Sequence, residues 1–130
     1  MCLAVYLASD RSLPLVEQAA FLVRPLERRE AGVRRHFSKP HIYYIGAYTG
    51  CGCGFIPDDP SEAAQRAETI AQFVAYLDRE VPELQLELFV CWEGAQAKTP
   101  VHRLRLTRDQ LAGRAEWCEE LAFTLVERAA

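Results

Sequence analysis

Residues 42–55 read Ile-Tyr-Tyr-Ile-Gly-Ala-Tyr-Thr-Gly-Cys-Gly-Cys-Gly-Phe, an apolar run that passes directly into alternating glycine and cysteine. Isoleucine and tyrosine favour extended backbone, so we expect a strand from Ile42 to Ala47. Glycine accepts backbone angles and close approaches that other residues do not, and several glycines at period two need a local reason. The loop from Thr49 to Phe55 is therefore the candidate functional site.

Four more segments predict strands. Cys2–Ala8 is almost continuously apolar, which is typical of a strand that is buried on both faces at the centre of a sheet. Phe21–Leu26 is a shorter apolar run that Pro25 ends or confines to an edge. Leu84–Trp92 and Val101–Leu106 both alternate, and we expect them to pair as a hairpin.

Two segments predict long amphipathic helices. The first begins near Pro60, with Asp59 suited to the N-cap, and ends at about Glu80 before Pro82. Its apolar stripe consists of Ala63, Ala67, Ile70, Val74 and Leu77. The second follows Thr107 and Gln110, which form a capping pattern, and runs to the C-terminus. Its stripe consists of Leu111, Ala115, Cys118, Ala122, Leu125 and Ala129.

The resulting order β-β-β-α-β-β-α predicts an α+β fold. We expect one domain over residues 1–130, with a single mixed sheet of about five strands and two long helices packed on one face. The third and fourth strands, joined through the first helix, should be parallel neighbours. The predicted core comprises Val5, Ile70, Val74, Leu86, Leu88, Leu104, Ala122 and Leu125.

Composition limits the classes of function. The chain has a net charge of −3, no apolar run long enough for a membrane span and no recognisable secretion signal, so we expect a cytoplasmic protein without a membrane partner. The excess of arginine over lysine suggests a GC-rich bacterial source. Residues 24–39 carry six basic and two acidic side chains, a pattern typical of a solvated segment that could also face an anion. The sequence lacks alternating basic and aromatic residues, so no nucleic-acid partner is expected.

A metal site is one interpretation of the glycine–cysteine loop. Cys51 and Cys53 are the first candidate ligands, and zinc is the first candidate cofactor because it takes cysteine and histidine ligands. Cys2, Cys91 or His41 could complete the set only if the fold brings them close. The Cys-x-Cys spacing is shorter than the usual separation of paired zinc ligands.

Thiol chemistry and anion binding are the two other interpretations. Cys51 or Cys53 could serve as the thiol of a redox protein or enzyme, because a nearby helix start or cation would lower a thiol pKa. Thr49, Gly50, Gly52 and Gly54 could instead present backbone N–H groups to a phosphate or small anionic molecule. The sequence lacks the phosphate-loop and dinucleotide spacings.

A purely structural role, which needs no ligand, also accounts for the loop. Glycines at alternate positions leave one face of the chain bare, so that an aromatic ring such as that of Tyr48 or Trp92, or a second backbone, can lie against it. The sequence therefore predicts a small binding or structural domain, with a thiol-dependent enzyme and an anion-binding module as alternatives. We expect both loop cysteines to be reduced and at least one loop glycine to have a positive φ.

Overall fold

The computed structural model describes residues 2–18, 20–56, 60–81 and 85–128, and within them an α+β fold forms around one mixed sheet of seven strands. The expected number of about five strands is too low, because a short edge strand and a C-terminal strand join the sheet. In chain order the strands are β1 (Leu3–Ser9), β2 (Val16–Gln18), β3 (Phe21–Pro25), β4 (His41–Ala47), β5 (Gln85–Trp92), β6 (His102–Thr107) and β7 (Ala122–Glu127). Across the sheet the order is β2-β3-β4-β1-β5-β7-β6.

Strand β1 lies at the centre of the sheet, as its unbroken apolar sequence predicts. Every residue from Leu3 to Ser9 is buried. The strand runs antiparallel to both neighbours, with Val5 opposite Ile45 of β4 and Val90 of β5. Because β4 and β5 both run against β1, they are parallel to each other.

Two predicted strand pairings are wrong. Strands β4 and β5 are not neighbours, because β1 lies between them. Strands β5 and β6 do not form a hairpin, because β7 pairs antiparallel with β5 and parallel with β6. Both errors have one physical cause: a segment distant in the sequence supplies the hydrogen bonds that a local partner was expected to supply.

The long helix α1 (Ala63–Glu80) follows a 3₁₀ turn at Pro60–Glu62 and covers one face of the sheet. Its position is confirmed, but its buried stripe differs from the predicted one. Ala63 and Ala67 are exposed and Val74 is partly buried. The buried residues are Thr69, Ile70, Phe73, Tyr76 and Leu77. The predicted N-cap, Asp59, and the predicted first residue of β5, Leu84, lie outside the described residues.

The second long helix is absent from the described part of the chain. Strand β6 is followed by a short helix, α2 (Gln110–Gly113), then by a 3₁₀ turn at Glu116–Cys118, and then by β7. The last residue of the predicted apolar stripe, residue 129, lies outside the described residues. The side chain of Trp117 is fully buried and its Nε1–H donates to the Leu111 carbonyl at 2.9 Å. This anchor folds the chain back, and Leu121, with a φ of 60°, precedes the strand. The prediction of two long helices packed on one face of the sheet is therefore wrong.

The second face of the sheet is covered by a 3₁₀ helix at Arg28–His36. Glu30 of this helix is buried and accepts a hydrogen bond from the Tyr6 hydroxyl at 2.5 Å. Arg24 pairs with the same carboxylate at 2.7 Å, and Gln96 donates to the Tyr6 oxygen at 3.3 Å. The side chains of Arg28, Arg29, Arg34 and Arg35 are exposed to solvent, as the charge pattern of this segment predicts.

The predicted core is mostly correct. Val5, Ile70, Leu86, Leu88 and Ala122 are buried. The other three predicted core residues, Val74, Leu104 and Leu125, are only partly buried. No helix among the residues that the structure describes has the length and apolar character needed to cross a bilayer.

Candidate metal centre

The glycine–cysteine loop begins with a tight turn at the end of β4. The N–H of Gly50 donates to the Ala47 carbonyl at 2.9 Å, and the Ala47 N–H donates to the Cys51 carbonyl at 3.0 Å. Gly50 has a φ of 83°, a conformation that a side chain disfavours. The prediction of at least one glycine with positive φ is confirmed. The turn directs Cys51 and Cys53 back toward β1.

The next two glycines let the loop pack tightly against the sheet. A Cβ atom at Gly52 would lie 2.9 Å from the Leu3 carbonyl oxygen, and one at Gly54 would lie 2.6 Å from the Ala47 Cβ and 3.0 Å from the Tyr48 ring. The expected close packing is seen at Gly52 against the Leu3 backbone and at Gly54 against the Tyr48 ring, but a Cβ at Gly50 has no atom within 4 Å, and residues 52–55 form a 3₁₀ turn rather than one extended bare face. Trp92, the other expected partner, is not among the nearest contacts of these glycines.

Hydrogen bonds fix the loop that carries the two thiols. The Thr49 hydroxyl donates to the Cys51 carbonyl at 3.0 Å and accepts from the Gly54 N–H at 3.1 Å. The N–H of Leu3 donates to Cys53 Sγ at 3.3 Å. Residues 52–55 form a 3₁₀ turn whose Phe55 is buried in the core. Thr49 thus positions the loop, and Leu3 holds one sulfur.

Three cysteine sulfurs meet at this point. The Sγ atoms of Cys2, Cys51 and Cys53 all lie within 4.8 Å of one another, and each residue is partly exposed. No disulfide joins any of the five cysteines, which agrees with the expectation that the two loop thiols are reduced. We call the set Cys2, Cys51 and Cys53 the three-cysteine cluster.

Two other ligand candidates lie elsewhere. Cys91 is buried in the cluster of apolar residues on the second face of the sheet, and burial raises the pKa of its thiol to about 12. His41 pairs with Ser9, at the opposite end of β1 from Cys2. Six residue steps along the strand, about 20 Å, separate that end from Leu3. Neither side chain belongs to the three-cysteine cluster.

The three thiols do not titrate alike. Burial raises the pKa of Cys51, but hydrogen bonds from the Cys53 N–H, the Thr49 hydroxyl and the neighbouring thiols outweigh burial and bring the pKa below its ordinary value. The hydrogen bond and charge of Cys51 raise the pKa of Cys2. Burial, together with the same neighbour, raises the pKa of Cys53 despite the hydrogen bond from Leu3. Cys51 is therefore the first thiol to ionise.

Two of the four residues proposed for an anion site, Gly50 and Gly54, use their N–H groups within the loop. The N–H groups of Gly50 and Gly54 already donate to Ala47 and Thr49, within the loop. Helix α1 begins only at Ala63, after a separate 3₁₀ turn, so its first N–H groups do not directly follow the loop. A phosphate needs free N–H groups that converge on one point.

A cavity of about 340 Å³ lies beside the three-cysteine cluster. Leu3 connects the two: its N–H donates a hydrogen bond to Cys53 Sγ, and the same residue lines the cavity. The sequence gives no signal for this cavity, because its walls come from separate segments of the chain. Its remaining lining residues are Ile56, Trp92, Ala115, Cys118, Glu119 and Glu120.

No protein-family model, curated protein or solved structure matches this chain.

Proposed function

We propose that the three-cysteine cluster binds a thiophilic metal ion, with Zn²⁺ as the first candidate. The observation that carries the proposal is the convergence of three sulfurs within 4.8 Å from two segments that are far apart in the sequence. Thiolate sulfur is the ligand that Zn²⁺ and Cu⁺ favour over harder ions such as Mg²⁺ and Ca²⁺.

The spacing of the sulfurs suits such an ion after a small contraction. Tetrahedral zinc with Zn–S bonds of about 2.3 Å holds neighbouring sulfurs about 3.8 Å apart. The cluster has its sulfurs within 4.8 Å of one another, so each needs to move by less than about 1 Å. The Gly50 turn and the short side chains allow this movement without a change in strand register.

Ionisation of the cluster supports the same function. Only thiolates bind the metal, so binding displaces thiol protons and strengthens as pH rises. Cys51, with its lowered pKa, supplies the first thiolate. The hydrogen bond and charge of Cys51 raise the pKa of Cys2, and burial followed by the hydrogen bond and charge of Cys51 raises the pKa of Cys53; a bound cation offsets the like-charge part of both shifts.

Metal titration of the purified protein tests the proposal. We expect one equivalent of Zn²⁺ to bind and Co²⁺ to give strong thiolate-to-metal charge-transfer absorption. Serine in place of Cys2, Cys51 or Cys53 should weaken zinc binding by at least about tenfold. Cys118→Ser is the matched control, because Cys118 lies outside the cluster and serine retains a donor for the Phe55 carbonyl.

Two results would contradict a metal site at this cluster. The first is zinc binding that survives all three cluster substitutions unchanged. The second is zinc binding that is lost equally in Cys118→Ser, since the loss would then report the fold rather than the ligands. Circular dichroism of each variant without metal shows whether the fold is retained.

A further inference from the structure

The same three sulfurs are close enough to react with one another as well as to share a metal. Cys2 and Cys51 belong to different segments, and their sulfurs lie within 4.8 Å. Cys53 packs against the apolar core, and its sulfur accepts the Leu3 N–H. Cys51 is partly exposed and has neither of these contacts. The hydrogen bonds of Cys51 Sγ with the Thr49 hydroxyl, at 3.7 Å, and with the Cys53 N–H lie within its own loop, whereas Cys53 Sγ is bonded to strand β1. Cys2 and Cys51 are therefore the pair whose approach leaves the bond between Cys53 and β1 intact.

We propose that a hydroperoxide oxidises this site to a disulfide between Cys2 and Cys51, and that the disulfide and the metal exclude each other. The second half of this inference rests on the proposed metal binding. The alternative pair, Cys51 and Cys53, would close a ring through a single intervening glycine, and such a disulfide is strained and easily reduced.

The chemistry balances in two steps. One thiolate sulfur attacks an oxygen of the hydroperoxide, the O–O bond breaks, and the sulfur becomes a sulfenic acid. The other oxygen leaves as water or an alcohol. The partner thiol then attacks that sulfur, the S–S bond forms, and the sulfenic oxygen leaves as water. Both thiols together lose two electrons and two protons, and one hydroperoxide takes them up.

Oxidation removes two of the three ligands at once. A disulfide sulfur carries no charge and is a far weaker ligand than a thiolate, so one remaining thiolate cannot hold Zn²⁺ tightly. Conversely, a bound ion draws electron density from the thiolates, so it slows their attack on the peroxide without preventing it. The metal-bound form is therefore reduced, and the form with the Cys2–Cys51 disulfide is metal-free.

Tryptic digestion separates the possible disulfides. Cys2 lies in the peptide 1–11, whereas Cys51 and Cys53 share the peptide 36–66, because Pro40 protects the bond after Lys39. The full-length protein is treated with H₂O₂ in the presence of a chelator, free thiols are alkylated, and the digest is analysed by mass spectrometry. We expect the two peptides to be linked in wild type, Cys53→Ser and Cys118→Ser, and separate in Cys51→Ser.

A second arm follows the metal. The zinc-loaded protein is treated with one equivalent of H₂O₂ in the presence of a chromogenic chelator, and zinc release should match the amount of linked peptide. A disulfide confined to the peptide 36–66, or linkage that persists in Cys51→Ser, overturns the assigned pair. Linked protein that retains its zinc overturns mutual exclusion. If no zinc binds at all, the proposed metal function fails, while the peptide result still decides the disulfide.

Discussion

Replacing Gly52 by alanine isolates the contribution of loop packing to the three-cysteine cluster. Gly52 carries no ligand atom, but it lies against the central strand between the two loop thiols. Any effect of Gly52→Ala on metal binding must therefore act through the position of Cys51 and Cys53. We expect a loss of both stability and zinc affinity.

The distances give the size of the effect. The new Cβ would lie 2.9 Å from the Leu3 carbonyl oxygen and 2.9 Å from Val5 Cγ2, against 3.4–4 Å for ordinary contact. The Leu3 carbonyl belongs to the central strand of the sheet, so the loop must move by about half an ångström rather than the strand. Overpacking of this kind costs about 1–3 kcal/mol in the free energy of unfolding.

Urea denaturation and zinc titration measure the two effects separately. In the presence of a chelator, the midpoint of Gly52→Ala should fall below that of wild type by the overpacking cost. With zinc at about 100 times its dissociation constant, wild type should gain about 2.7 kcal/mol, and the variant should gain less. Gly113→Ala is the matched control, since a Cβ at Gly113 has no atom within 4 Å. This substitution should leave zinc affinity unchanged and alter stability by no more than about 1 kcal/mol.

One result would refute the packing argument. If Gly52→Ala binds zinc as tightly as wild type and unfolds at the same urea concentration, the close approach to Leu3 is not required. A variant that loses stability but keeps full zinc affinity would separate the two effects. In that case loop packing would contribute to the fold without positioning the sulfurs.

Three predictions concern the two cores. Leu88→Ala should cost about 2–5 kcal/mol by opening a cavity under the helix, and an unchanged urea midpoint would contradict the assignment of its side chain to that face. Tyr6→Phe should cost about 1–3 kcal/mol, because it leaves the buried Glu30 carboxylate and Gln96 amide without their shared partner; equal stability of the variant would argue against this network. Burial raises the pKa of Glu30, but hydrogen bonds from Arg24 and Tyr6 outweigh burial and hold it below its ordinary value of 4.5. The ionised carboxylate therefore stabilises the fold above about pH 4.5, and this contribution disappears as the pH falls through the lowered pKa. The variant Glu30→Gln should consequently show a weaker loss of stability at acidic pH than wild type when the free energy of unfolding is measured against pH.

The elements that the sequence predicts well are those decided by local pattern. An unbroken apolar run places β1 at the sheet centre, and apolar residues at helical spacing identify α1 between residues 63 and 80. Glycine clustering identifies the loop where Gly50 adopts positive φ. In each case a short window contains the whole physical cause, so no distant partner has to be known.

The C-terminal strand shows where local pattern fails. Apolar residues at 115, 118, 122 and 125 fit a helix, but Ala122, Thr124 and Val126 also alternate as one face of a strand. Phe123, Thr124 and Val126 favour extended backbone. The choice depends on hydrogen bonds to β5 and β6 and on the buried Trp117, which are contacts that no single window contains.

The three-cysteine cluster depends on one pairing that the sequence leaves open. Cys2 precedes β1, whereas Cys51 and Cys53 follow β4, and the two strands are antiparallel with Val5 opposite Ile45. That register, extended by two residues, places Leu3 opposite Ala47, so the start of one strand meets the end of the other. The Gly50 turn then returns the loop to the end of β1. A metal bound there would join the central strand to the loop after its neighbour, so metal binding would add directly to the stability of the sheet centre.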